Sequence, residues 1–497
     1  MLPETLVCLL TSSIVFAQTT QQLSLNAVAS FNTLTLPNPP SFSIPSNDNK
    51  LTVSVALCTD SNTAPRFFLS NASTTKNPGS SGGEGVIEIA LQNGRGNWTG
   101  LFENGVLAVE SNGAQVSFDV GVSDSGPIHE VLNDLPFFGD TTSNQALLFS
   151  PPFAKPFVQV PTYPNYTLPI ASLAFTDTPP SSPPNYTLVL SPTSSSSLTS
   201  GPQTGCFLSS QNITGTIANQ SLWLRDEEGW RVQWLLEGLS PSTNYTAYAI
   251  QDGTKVAGPI YFATKSPSFP CPLVAFLPFC PAVSHAVPLP APPSGTIYDS
   301  TNLPQTNLTS ALLTYLTNFT VTLTTFACGR DHYSPLVECS DCQREYRKWL
   351  CAVSFSRCGE PSLGSPSAFT AFPATPTQTG LSALKSLMPP IPGIGGGPSQ
   401  KQKQQQQVVL SALLPQTTPR NPSLPEMDYT LLLPCLETCT AVDRACPPFL
   451  LFQCPTRKFN AAASYGVGYV DGADGDEGEG VAGVAQDRWG NVWCHLG

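Results

Sequence analysis

The cysteines constrain this chain most. There are 15 in 497 residues, and ten of them fall between Cys328 and Cys494. Cys8 sits in an apolar stretch, Thr5 to Ala17, that ends in the small-residue pattern Val15-Phe16-Ala17 and precedes a polar run. The stretch is too short to span a bilayer and reads as a signal peptide, residues 1–17, although no Lys or Arg precedes it. Its removal leaves 14 cysteines, an even number in an export context, which predicts a disulfide framework. Cys339-x2-Cys342 is therefore read as structural and not as a zinc or redox pair.

Nine N-x-[ST] sequons agree with export: Asn71, Asn97, Asn165, Asn185, Asn212, Asn219, Asn244, Asn307 and Asn318. Asn421 precedes Pro and is excluded. All nine lie before Cys328, so the cysteine-rich part is expected to keep a bare protein surface. Only 11% of residues are charged, and the net charge is −12. That balance, with no basic tract, excludes ordinary nucleic-acid binding. Glycans and hydroxyl groups are expected to keep the N-terminal half solvated.

Residues 18–155 and 165–265 read as two β-rich domains. Lys50 to Leu57, Gly85 to Leu91, Gly105 to Glu110 and Gln115 to Val120 alternate with period two between turn residues, as antiparallel sandwiches do. A Pro-rich stretch near 150–183 is taken as the divider. In the second domain Trp230, Val232 and Trp234 share a strand face. The run Leu239-x-Pro241-x-Thr243-x-Tyr245 resembles the tyrosine-corner segment of fibronectin type III domains, whose hydroxyl bonds to nearby backbone. Residues 266–305, with Cys271 and Cys280, read as a Pro-rich linker pinned by disulfides. Leu312, Leu316, Phe319, Leu323 and Phe326 recur at helical spacing. A helix packed on the cysteine-rich core explains them better than a membrane helix. Residues 361–430, rich in Pro, Ser, Gly and Gln, read as a disordered insertion between two cysteine-rich halves, 306–360 and 431–497.

Catalytic signals are weak, so no enzyme, cofactor or metal is expected. The four histidines, His129, His285, His332 and His495, have no metal-site spacing. Gly79 to Gly83 fits G-x-S-x-G formally but lies in a Gly/Ser-rich loop, where a nucleophile elbow is not expected. Paired carboxylates for glycoside hydrolysis depend on a separation that sequence does not give. The acidic run Asp471 to Glu479 lacks full calcium-loop spacing.

The segment Cys328 to Cys358 carries the most information. Cys342, Tyr346, Trp349, Leu350 and Val353 fall on one face of a predicted helix, with Arg344, Arg347 and Lys348 on or beside the other. The basic cluster is either a solvated helix face or a docking surface for an acidic partner. Cys435, Cys439, Val442 and Cys446 share the side of a second helix. The spacings C-x8-C-x6-C from Cys342 and PC-x3-C-x6-C from Pro434 resemble the frizzled-type cysteine-rich domain. That resemblance implies the pairs Cys342–Cys446 and Cys439–Cys454, and Cys328–Cys351. The chain departs from it in the long insertion after Cys358.

A resemblance covering nearly the whole chain rests on CGRDHYSPLVECSDCQREYRKWLC, the PC-x3-C block and the terminal WGNVWC. In these the chain resembles the fungal stretch-activated calcium-channel component, the regulatory subunit of a high-affinity calcium influx system. The resemblance implies an accessory glycoprotein on the extracellular face of the plasma membrane, reached through the secretory pathway. Its partner would be the pore-forming α-subunit of a voltage-gated-type calcium channel. Arg344, Tyr346, Arg347, Lys348 and Trp349 are the candidate contact residues, or hold the contact surface. Cys328, Cys339, Cys342, Cys351, Cys358, Cys435, Cys439, Cys446, Cys454 and Cys494 are the candidate disulfide set. The alternatives are a stretch-activated channel in its own right and a secreted cell-wall glycoprotein. The expected fold class is α+β multidomain: an N-terminal antiparallel β-sandwich-type region, then a disulfide-rich, mainly helical, frizzled-like cysteine-rich domain with a disordered insertion.

Overall fold

The alternating segments of the N-terminal part build sheets because each buries its apolar set on one face. The structure, a computed structural model, describes residues 21–60, 63–71, 77–83, 85–156, 167–195, 198–293, 297–304, 308–326, 328, 333–360, 413–416, 422, 424–456, 464–466 and 494–495. The proposed signal peptide, Asn165, Asn307, most of the insertion and the acidic run 471–479 lie outside these residues. The chain divides into two units: residues 1–131, 197–211 and 253–256, and residues 132–196, 212–252 and 257–497.

The first unit holds β1 (Gln21–Gln22), β2 (Ala27–Asn32), β3 (Ser41–Ser43), β4 (Leu51–Leu57), β5 (Arg66–Ser70), β6 (Val86–Ile89), β7 (Arg95–Gly100), β8 (Val106–Glu110) and β9 (Ser117–Ser123). They form two sheets, ordered β1-β3-β8-β5-β6 and β2-β9-β4-β7. Pairing is antiparallel in β4–β9 and β5–β8, and parallel in the short β1–β3 contact. Val53 and Val55 of β4 and Phe118 and Val120 of β9 meet Phe42, Phe67 and Leu107 of the other sheet in one core. The opposite face of β4 is polar but paired: Ser54 Oγ lies 3.0 Å from His129 Nδ1, and Thr52 Oγ1 2.8 Å from Thr99 Oγ1. Helix α1 (Gly205–Ser209) is fastened to the end of β4. The Cys58–Cys206 disulfide does this, together with the Thr204 hydroxyl, which donates to the Leu57 carbonyl at 2.5 Å. Gly79 to Gly82 is a turn leading toward β6, with no helix behind it, so Ser81 does not sit on a nucleophile elbow.

The second unit begins with β10 (Phe137–Thr141) and β11 (Gln145–Phe149). After them come β12 (Tyr186–Pro192), β13 (Thr216–Asp226), β14 (Gly229–Glu237), β15 (Asn244–Gln251) and β16 (Lys255–Ala263). Sheets β10-β11-β14-β13 and β12-β15-β16 enclose Leu148, Leu188, Val232, Trp234, Tyr245 and Phe262. Because β11 pairs with β14, residues 137–149 belong to this second sandwich, and the sequence-based boundary near residue 155 moves upstream to about residue 131. Tyr245 is fully buried, and its hydroxyl accepts from the Ser240 backbone N–H at 2.8 Å, the tyrosine-corner bond.

Strands β11 and β14 are buried on both faces. Leu147 and Leu235 point away from the sandwich into a second core with Leu273, Ala275, Ala286, Leu431 and Leu433. That back layer holds β17 (Leu273–Val274) paired with β18 (His285–Ala286). It also holds a sheet ordered β19-β21-β20, from β19 (Arg357–Cys358), β20 (Leu413–Gln416) and β21 (Tyr429–Leu432). Among the described residues the unit also holds α2 (Ser310–Thr324), α3 (Cys339–Ser354) and α4 (Leu436–Ala445).

Three expectations are corrected here. Residues 266–305 do not behave as a linker, because Leu273, Val274, Leu277, Val283 and Val287 are core residues. The cysteine-rich region is not a mainly helical frizzled-like module either. Its helices share their cores with the Pro-rich stretch and the β19-β21-β20 sheet, and β-structure dominates the described chain. The physical reason is the disulfide pattern. Cys271 pairs with Cys358 and Cys280 with Cys351, which draws the Pro-rich stretch into the helical layer. Cys351 is thereby taken from Cys328, which pairs instead with Cys339. The remaining bonds are Cys342–Cys446, Cys435–Cys494 and Cys439–Cys454.

One buried charge joins the layers. Asp140 of β10 is fully buried, accepts from the Ala286 N–H at 3.1 Å and pairs with Arg357 at 2.9 Å and Lys265 at 3.6 Å. Burial alone would raise its pKa, but the two cations and the hydrogen bonds outweigh it and hold the carboxyl at about 2.

Candidate docking surface

Helix α3 carries all five candidate contact residues. It starts at a reciprocal cap in which the Glu338 N–H donates to Asp341 at 2.9 Å and the Glu338 side chain accepts from the N3 backbone. Three disulfides then tether it, through Cys339, Cys342 and Cys351.

The structure divides the five residues by role. Arg347 is buried, and its guanidinium donates to the carbonyls of Ala171 (2.6 Å), Ile170 (2.9 Å) and Phe279 (3.0 Å). Burial pulls its pKa down to about 10, so it stays charged at neutral pH. Tyr346 stacks on Phe319 of α2 with ring centroids 3.6 Å apart. Trp349 packs edge-on to Phe452, and its indole N–H donates to the Tyr465 hydroxyl at 2.9 Å. These three side chains hold the helix in place.

Arg344 and Lys348 remain at the surface, each side chain 33% exposed. They share Glu227 at 3.0 Å each. Arg344 also reaches Asp341 at 2.8 Å and Glu345 at 3.2 Å, and Lys348 reaches Glu345 at 3.4 Å. Burial lowers the pKa of Arg344, but the surrounding carboxylates more than reverse this and raise it. The patch that reads as basic in sequence is therefore a compensated ion network.

These residues edge a groove of about 1010 Å³ whose wall includes Leu168, Ile170, Phe175, Arg225, Glu227 and Gln343. The strap forming part of that wall, within residues 167–178, is stapled to α3 by Arg347 and by Gln343, whose amide donates to the Pro169 carbonyl at 2.7 Å. Glu227 and the strap are site residues the sequence did not mark. The Glu227-Glu228 turn between β13 and β14 has no motif, and its pairing with α3 spans more than a hundred residues.

Seven of the nine sequon asparagines lie among the described residues, and each is exposed: Asn71, Asn97, Asn185, Asn212, Asn219, Asn244 and Asn318. Two Cys–carboxylate clusters, Cys58/Asp119/Cys206 and Cys435/Glu437/Cys494, have metal-ligand proximity, but their sulfurs are joined in disulfides. Among the described residues, no helix is long and apolar enough to cross a membrane.

Comparison with known proteins places this arrangement. Two solved structures align over parts of the chain. A pre-peptidase C-terminal domain of a Bacillus anthracis collagenase covers 21% of this chain and 95% of its own, at 10% identity and TM-score 0.16. A two-domain fibronectin type III segment of chicken tenascin covers 44% and 95%, at 15% identity and TM-score 0.15. Neither similarity is close enough to bear on the fold. Sequence relatives are closer. The stretch-activated cation channel MID1 of Cryptococcus neoformans is 35% identical over 483 residues, 86% of this chain and 74% of the relative. The stretch-activated cation channel yam8 of Schizosaccharomyces pombe is 27% identical over 57% of this chain and 52% of its own length. The MID1 protein of Saccharomyces cerevisiae is 29% identical over 44% and 34%. The family model for the Mid1 stretch-activated Ca2+-permeable channel component matches residues 38–481, most of the chain including α3 and its groove. The chain therefore belongs to the family of stretch-activated Ca2+-permeable channel components, and its role is a channel-associated one.

Proposed function

We propose that the chain is a non-enzymatic regulatory subunit that docks from the extracellular side on the pore-forming α-subunit of a voltage-gated-type calcium channel. It promotes calcium influx during stress, mating or mechanical stimulation. The observation that carries this reading is the outer edge of α3. Arg344 and Lys348 are presented there on a helix fixed by three disulfides, with Glu227 as a shared counter-ion. A surface already ordered in this way loses little entropy on binding. A carboxylate on a partner loop can take the place of Glu227 and set the register of the complex. Arg347, Tyr346 and Trp349 serve it by fixing the helix. None of the nine sequons lies on α3 itself.

The test is capture of partners by the full chain under mild detergent, with identification by mass spectrometry. Recovery of a calcium-channel α-subunit is expected. Its loss by roughly tenfold or more in an Arg344→Glu/Lys348→Glu double variant of unchanged melting temperature is expected as well. If no channel subunit is recovered, the accessory role fails. If the double variant recovers as much as the parent, this face fails. The names of the relatives favour a second reading, conduction by the chain alone. Stretch-gated currents from the purified chain in liposomes would establish that reading instead.

A further inference from the structure

On the opposite side of α3 from the groove lies a cavity of about 440 Å³, walled by Leu308, Leu312, Leu350, Val353, Leu431 and Pro434. Its size falls within the usual range for small-molecule sites. Tyr315, 60% exposed, also lines it, so the cavity reaches the surface at α2. No Asp, Glu, Lys or Arg is among its described lining residues.

One polar side chain in it stands out. His495 is only 1% exposed, lines the cavity, and neither ring nitrogen has a hydrogen-bond partner among the described residues. The ring is not free to leave. Its backbone N–H donates to the Leu433 carbonyl at 3.1 Å, its carbonyl accepts from the Cys435 N–H at 2.8 Å, and Cys494 beside it is bonded to Cys435. Leaving a buried donor and acceptor unmade is costly, so a fixed imidazole of this kind calls for a partner. Burial, reinforced by nearby His285 and Arg357, keeps it neutral, with one nitrogen donating and the other accepting. A wall whose polar side chains are hydroxyls and one neutral imidazole, with no cation among its described residues, disfavours a carboxylate or phosphate head, which would be buried without a counter-charge. A hydroxyl group matches the imidazole without that cost.

We propose that this cavity binds a neutral lipid alcohol, its apolar body against Leu308, Leu312, Leu350 and Leu431 and its hydroxyl hydrogen-bonded to His495. The site is independent of the docking face, so either can fail alone.

The test titrates the purified full chain with three probes. Dehydroergosterol is read by energy transfer from tryptophan, and tritiated 1-hexadecanol and palmitate by equilibrium binding at neutral pH. Saturable binding of at least one alcohol at one per chain is expected, with palmitate weaker by roughly tenfold or more. The arm that saturates tells a sterol source from a straight-chain one. His495→Phe is expected to weaken binding by roughly tenfold. Ala311→Phe, which fills the cavity from α2 and leaves His495 intact, is expected to abolish it. The proposal is overturned by failure of both alcohols to saturate, by palmitate binding as tightly as hexadecanol, or by parental affinity in both folded variants.

Discussion

Replacing Asp140 by Asn tests whether one buried carboxylate ties the sandwich to the layer behind it. Asp140 has no exposed surface, while Arg357 and Lys265 retain 12% and 13% of their side-chain exposure. The Asp140→Asn change would leave two nearly buried cations without a counter-charge, which typically costs about 3–5 kcal/mol. Partial hydration of both cations places the expectation at the lower end, about 3 kcal/mol at neutral pH. The pH dependence follows from the direction of the shift. The folded pKa of about 2 lies below the ordinary 3.8, so the carboxylate's stabilisation is complete above pH 4 and disappears as pH falls toward 2. That depression corresponds to about 2 kcal/mol. His285 acts in a different window. Burial first, then Arg357, depresses its pKa from 6.5 to about 4 despite the hydrogen bond to the Phe355 carbonyl at 2.8 Å. Its contribution is complete above pH 6.5 and is lost as pH falls to 4, more steeply in the variant, because the Asp140 charge itself raises the His285 pKa. Urea unfolding of the disulfide-intact full chain, followed by tryptophan fluorescence between pH 7 and pH 2, separates the two. The gap between parent and D140N should not narrow from pH 7 to about 4 and should shrink below that. A gap that stays flat down to pH 2, or equal stability at pH 7, would refute the reasoning.

Arg347→Met should destabilise the second unit by about 3 kcal/mol, because three backbone carbonyls lose their donor. Hydrogen exchange of residues 167–178 should then accelerate, whereas Arg344→Met should leave it unchanged. Tyr245→Phe removes the hydroxyl that accepts from Ser240 and should cost about 1–2 kcal/mol in urea unfolding. The Cys280→Ser/Cys351→Ser pair should cost about 2–5 kcal/mol and lower secretion, measured as the folded fraction in the medium.

Local chemistry was legible in the sequence wherever a feature is closed within a few residues. The tyrosine corner is spelled by Leu239 to Tyr245, and its bond spans five residues. Helix α3 shows its period because Cys342, Tyr346, Leu350 and Val353 all face a core. Long-range partners were not legible. Arg347 looks like its neighbours Arg344 and Lys348, and only carbonyls 68 to 177 residues away make it a core residue. The Pro-rich stretch 266–305 has no apolar period because proline breaks both ladders and helices, so nothing local announces its burial. Its place is set by two disulfides whose pairing the spacing does not encode. Strand β14 shows an intermediate case. Trp230, Val232 and Trp234 mark one buried face, and only Leu235 hints that the other is buried too.

The disulfide pattern also explains how the second unit tolerates its long insertion. Cys342 and Cys446 are 104 residues apart in sequence, with the low-complexity segment between them. Loop-closure entropy grows only logarithmically, so lengthening that loop about threefold adds about 1 kcal/mol. The crosslink removes the same entropy from the unfolded chain and makes it irrelevant to folding once formed. The cost of the insertion is thus small, and it falls where α3 and α4 are already joined. The opposite holds for the Pro-rich stretch. Cys271 and Cys280 each fasten it to the end of α3 or to β19, and Val274, Leu277 and Val283 fill the space between them and α2. Removing it would open the core that positions α3, and with α3 the edge bearing Arg344 and Lys348. Docking surface and fold therefore depend on the same few crosslinks, and truncation at either edge of residues 266–305 would remove both together.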